Sequence, residues 1–175
     1  MMSIVYVFWM YIIVFAVIGM MRGWAKELLV AFSVILALAL NLLLKAYIPI
    51  VRDLPNEGTS LFWIRTLILI SLVYFGYQTV AVIPRLASKA TRERLQDALF
   101  GIILGGLNGY LVIGTILFYL DQARYPYPNV VSAPTGALLD SINTMMVYMP
   151  PHLLGVPGIY FAVILCFIFV IIVYI

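Results

Sequence analysis

The chain has 175 residues, of which 65% are hydrophobic and 10% charged, with a net charge of +3 and a mean hydropathy of +1.13. A soluble domain carries about 25% charged residues, so this chain lacks the polar surface that a water-facing fold needs. Most of its outer surface must meet lipid, and the composition excludes a soluble catalytic domain. Crossing about 30 Å of hydrocarbon takes roughly 20 mostly apolar helical residues, because unpaired backbone groups are not tolerated in lipid. Ile4 to Met21 is the first such run and carries no charge. It lacks a basic leading segment and a small-residue cleavage site, so it reads as a retained helix rather than a signal peptide. Leu28 to Leu44 is the second run, broken only by Ser33 and Asn41; Leu61 to Ile83 is the third, with Arg65 one turn inside its start. Ala98 to Leu120 is the fourth and is glycine-rich, and Ile159 to Ile175 is a short, charge-free fifth. Transmembrane β-strands would alternate over about ten residues, and nothing here does. The expected fold is all-α: a polytopic transmembrane helix bundle of about five spans with interfacial amphipathic helices.

Orientation follows from the basic residues of the short loops. Arg22, Lys26, Arg85, Lys89, Arg92 and Arg94 fall on one side; Lys45, Arg52 and Arg124 lie on the other, with Arg65 close by. The first set is read as cytoplasmic, in a bacterial inner membrane, which places the N-terminus outside and the C-terminus inside. Cys166 is the one cysteine and lies within a span, so neither an intramolecular disulfide nor a thiolate metal cluster is expected. The positive charge reads as orientation and contact with anionic headgroups. Nucleic acid is not an expected partner, since the basic residues have no aromatic stacking surface beside them.

In the turn Arg22-Gly23-Trp24-Ala25-Lys26-Glu27, Glu27 is placed to cap the positive end of the second helix. Arg22 and Lys26 are placed to snorkel or to pair with acids, and Trp24 suits the headgroup level. Glu27 and Asp97 share a membrane face with Arg22 and Arg94, which makes all four candidate ion-pair partners. In the fourth span, Gly101, Gly105 and Gly109 recur every four residues, with Gly114 following. They line one helix face and open a groove for close backbone approach. Packing within the chain is the first reading of that stripe, an oligomer interface the second.

These features resemble a known family. The Arg-Gly-Trp-Ala-Lys-Glu turn after a first span is similar to the Arg-Gly-aromatic-x-basic-Glu signature of the colicin V production protein (CvpA) family. Asp97-Ala-Leu-Phe-Gly101, continuing through Gly105 to Gly109, is similar to that family's fourth span. Ala98 and Asn108 stand where its members often carry basic residues. Ser132 through Pro150 resembles the serine, amphipathic segment and proline-bearing end that follow. The resemblance covers about residues 4 to 151, which implies a four-span membrane domain over 1–151 and an extra C-terminal transmembrane helix over 152–175. It also implies a role in colicin V production or export, or in envelope maintenance.

Pro84 to Asp97 reads as an interfacial basic helix or a solvated loop. Asp121 to Pro157 is a long, proline-bearing outer segment in which Leu138, Leu139, Ile142, Met145, Met146 and Met149 recur at helical spacing. Arg65 is expected to snorkel to the outer headgroups, and Asn41, Gln78 and Asn108 to form interhelical hydrogen bonds. His152 is a lone loop histidine, so no metal or pigment is expected from it. The chain ends in Val173-Tyr174-Ile175 without a polar anchor, so the last helix stops at the interface or the natural chain runs on.

No paired-carboxylate site, Ser-His-Asp set, HExxH or phosphate loop is present, so an enzyme is not expected and no cofactor is implied. The expected partners are the lipid bilayer and either other membrane-protein subunits or further copies of the chain. An accessory or structural subunit of a respiratory or photosynthetic complex is the alternative to the role the resemblance implies.

Overall fold

The computed structural model describes residues 4–82, 94–129, 131 and 133–174. Among them are eight helices and no strand: α1 (Ile4–Arg22), α2 (Trp24–Tyr47), α3 (Pro49–Arg52), α4 (Thr59–Val82), α5 (Arg94–Gln122), α6 (Ala137–Val147), α7 (Pro150–Leu153) and α8 (Gly158–Tyr174). Within these, four segments are long and apolar enough to cross a membrane: Ile4–Arg22, Trp24–Tyr47, Thr59–Gln78 and Leu95–Gln122. The chain is an all-α, multi-pass membrane protein. α8 has 17 residues, about 25 Å at 1.5 Å per residue, and is the shorter apolar helix of the set.

The helices outrun the apolar segments that predict them. α2 begins at Trp24 rather than Leu28, and α5 already includes Arg94, four residues before Ala98. Lipid sets a minimum length for the apolar stretch, while the helix itself continues as long as its backbone bonds are met. The expected basic segment from Pro84 lies outside the described residues up to residue 93, and its last part belongs to α5.

The chain divides into two compact units: Met1–Val34 with Ile70–Gly114, and Ile35–Leu69 with Thr115–Ile175. In the first unit, small residues set the packing. A Cβ on Gly19 of α1 would meet the Gly101 carbonyl oxygen and come within 2.7 Å of the Gly105 Cα of α5. A Cβ on Gly109 would lie 2.9 Å from Phe15 Cβ and 3.0 Å from Ile12 Cα. α1 and α5 therefore touch backbone to backbone, along the face that the four-residue glycine spacing defines. α4 also approaches α2 through a glycine, with Gly76 against the Ser33 side chain. The Ser33 hydroxyl donates to its own helix at Leu29 O, 2.9 Å away, which leaves no orphan donor in the contact. Phe8, Val30, Val34, Leu111 and Val112 complete this core.

The second unit is closed by bulkier side chains. Leu61, Leu69, Ile142, Met149 and Ile159 are fully buried in it. The α2–α3 turn is held by Lys45, whose ammonium donates to the carbonyls of Val51, Arg52 and Leu54. These carbonyls lie at and just beyond the C-terminal end of α3, where helix acceptors lack intrahelical donors. α6 is amphipathic as expected, but its buried residues are Ile142 and Met146, with Met149 following the helix, while Leu138 and Leu139 remain exposed.

Candidate functional site

The first unit contains a cluster of charged and amide side chains around the α1–α2 turn. Arg22 ends α1, Trp24 starts α2, and Gly23 alone separates the two helices. Gly23 has φ +88, a conformation that side-chain-bearing residues rarely adopt, and a Cβ there would lie 2.5 Å from an Asp97 carboxylate oxygen. Glycine is thus required twice over, by backbone conformation and by space. Asp97, from the first turn of α5, accepts the Trp24 N–H at 3.0 Å. The positive end of α2 is capped in trans by Asp97, correcting the expectation that Glu27 caps it.

Glu27 has a different place. Its side chain is completely buried, and its Oε1 lies 3.6 Å from the Arg22 Nη1. The Asn108 amide of α5 donates both to Glu27 Oε2 and to the Glu27 backbone carbonyl, each at 2.8 Å. Arg22 in turn donates to the Tyr77 carbonyl of α4 at 3.2 Å and stacks its guanidinium 4.1 Å from the Tyr77 ring centroid. A buried carboxylate is tolerated only when paired and hydrogen-bonded; Glu27 has one full positive charge and one amide for that purpose. Four helices meet here: α1 through Arg22, α2 through Glu27, α4 through Tyr77 and α5 through Asn108 and Asp97.

Of the four charges expected to pair, Arg22 and Glu27 come together and Asp97 serves as the cap. The side chain of Arg94 lies outside the described residues. Lys26 is half-buried and Trp24 is exposed at the rim. Gly101, Gly105 and Gly109 are taken up by α1, and Gly114 is buried. Asn108 forms the expected interhelical bonds, whereas Gln78 is exposed. Tyr77 is the member of the cluster that sequence reading missed. Its carbonyl and ring become ligands for Arg22 only because Gly76 lets α4 approach α2.

Against known proteins, the family model described as colicin V production protein matches residues 4–142. The chain belongs to the colicin V production protein family. No curated protein and no solved structure matches it. The matched span takes in all four long apolar helices, the Arg22–Glu27 turn and the glycine face of the colicin V production protein fold, and it ends inside α6. α7 and α8 lie beyond it. Among the described residues, no group of three or more His, Cys, Asp or Glu side chains is arranged to hold a metal ion.

Proposed function

We propose that this chain acts without catalysis in a bacterial inner membrane, in colicin V production or export or in envelope maintenance, with its N-terminus outside and its C-terminus cytoplasmic. The observation that carries the reading is the family match over residues 4–142. The Arg22–Glu27–Asn108 cluster supports a non-catalytic role. The carboxylate is neutralised by Arg22 and hydrogen-bonded by Asn108, an arrangement that locks helices together rather than presenting a base or nucleophile to a substrate. The test is a deletion strain that produces colicin V, complemented with the wild-type chain or with Glu27→Gln. Released colicin activity or envelope integrity should fall in the deletion and return with the wild type. Unchanged release together with an unchanged envelope would overturn the reading.

A second reading rests on α8. It lies outside the family match, and Phe161, Leu165, Phe167 and Ile172 stand exposed along it. An accessory subunit of a larger membrane complex would use such a helix against other subunits, and self-association would use it against a second copy. Mild-detergent purification from native membranes separates the cases. Stoichiometric co-purification that is lost when α8 is deleted supports the subunit, whereas recovery of the chain alone supports the autonomous protein.

A further inference from the structure

The second unit carries an arginine with no acidic partner. Arg65 lies two turns inside α4, and among the described residues no carboxylate comes within ion-pair distance of it. Its Nη1 donates to Gln122 Oε1 at 2.6 Å, and its guanidinium stands 5.4 Å from the centroid of the Tyr119 ring. Neither contact removes the positive charge. Guanidinium has five N–H donors in a planar fork suited to oxyanions, and a charge at this depth in a lipid-facing bundle ordinarily marks a pathway or a binding site.

Arg65 also lines a cavity of about 300 Å³, together with Asn41, Gln122 and His152. Asn41 is 6% exposed; its amide nitrogen donates to the Arg65 carbonyl and the Tyr119 hydroxyl. Its buried Oδ1 accepts no hydrogen bond from the described residues. The cavity thus contains a cation without a counter-charge, bordered by a buried amide.

The rest of the lining is apolar and ordered by depth. Leu38 lies about one turn further into α2 than Asn41, and Phe118 lies one turn further into α5 than Gln122, while Leu42 stands at the level of Asn41. On α2 and on α5 a polar group therefore stands nearer the helix end than a hydrocarbon side chain one turn deeper. That gradient has the form of an amphiphile: oxyanion at the outside, chain toward the inside. At about 300 Å³ the space is at the small end of the roughly 300–1,000 Å³ typical of ligand pockets. It admits a headgroup and the start of one chain.

We propose that this cavity binds the phosphate of an anionic phospholipid against Arg65, with the first part of an acyl chain beside Leu38, Leu42 and Phe118. Net negative charge is selected because a zwitterionic lipid brings an ammonium for which no carboxylate stands at Arg65. The site involves none of the Arg22–Glu27 cluster, so it stands whether or not the proposed role in colicin V production holds.

The test is native mass spectrometry of the full-length protein released from mild detergent, with equal amounts of dioleoyl phosphatidylglycerol and dioleoyl phosphatidylcholine. The wild type should retain phosphatidylglycerol about tenfold over phosphatidylcholine, the ratio expected of one charge-assisted contact. Arg65→Gln should bring the ratio to about one, Arg65→Lys should keep part of the preference, and Leu42→Trp should reduce retention of both lipids by filling part of the cavity. If Arg65→Gln fails to fold, the other two variants carry the comparison. A wild-type ratio near one, or a preference unchanged in the Arg65 and Leu42 variants, would overturn the proposal. Inorganic phosphate distinguishes a free oxyanion from a lipid: if it displaces phosphatidylglycerol and stabilises the chain equally well, the lipid assignment fails.

Discussion

Arg22 and Arg65 each occur within a mostly apolar helical chain, and each stacks on a tyrosine, but their charges are handled in opposite ways. Arg22 has a buried acid five residues further on, at 3.6 Å, and the acid is held from a third helix by Asn108. Arg65 has an amide, an aromatic face and a cavity. The surrounding packing matches the difference. Around Arg22 the helices meet through glycine, backbone against backbone, whereas around Arg65 large side chains leave space between them. In an apolar setting a charge is kept either by internal neutralisation or by a partner from outside. The first solution stabilises a fold; the second confers a binding preference at some cost in stability.

The comparison is broken most severely at the glycine contact. Gly105→Val would drive a branched side chain into Phe15 and Gly19, at a cost of about 3 kcal/mol or more. Unfolding in mixed detergent–SDS micelles, followed by circular dichroism, should show it as a loss of the folded population. Glu27→Gln comes next, with an expected loss of about 2 kcal/mol, less than the full penalty of a broken buried pair because Arg22 retains partial access to solvent. Asn108→Ala should cost about 1–3 kcal/mol in the wild type and distinctly less in the Glu27→Gln background, since the two share one interaction. Additive effects would show that the amide and carboxylate are not coupled.

Smaller effects sharpen the contrast. Asp97→Ala removes the trans cap of α2 and should cost about 1 kcal/mol. Gly23→Ala should be less damaging in that background, because the contact with the carboxylate disappears while the strain at positive φ remains. Smallest of all is a pH effect at the end of α5. Burial first, and then the Asp121 carboxylate beside it, hold the Tyr125 phenol above its ordinary range. The neutral form is favoured by folding, so this contribution is complete below the ordinary value near 10 and is lost as pH rises beyond it. Unfolding midpoints of the wild type and Tyr125→Phe should run parallel up to about pH 9 and then diverge, with the wild type falling faster.

Much of this architecture is legible in the residues. The four long helices follow from apolar length, and the α1–α5 contact follows from glycines spaced by four. Helix ends are less legible because Lys26, Glu27, Arg94, Gln96 and Asp97 are polar yet helical, and hydropathy reports lipid contact rather than backbone geometry. The site is legible in its inventory but not in its wiring. Arg22, Glu27 and Asp97 share a membrane face by position, but which acid caps and which one pairs depends on how α5 docks through its glycines. Arg65 shows the reverse problem. A lone arginine near a helix end reads as snorkelling, whereas the structure turns it toward Gln122 and Tyr119, residues more than fifty positions away in the chain.

The most direct test puts Glu27→Gln and Arg65→Gln side by side, with unfolding free energy and phosphatidylglycerol retention measured on the same preparations. Glu27→Gln should lose about 2 kcal/mol and keep its lipid preference, while Arg65→Gln should change stability by about 1 kcal/mol or less and lose the preference. If both variants lose stability alike and neither changes lipid retention, the two arginines do the same structural work and the division drawn between them is wrong.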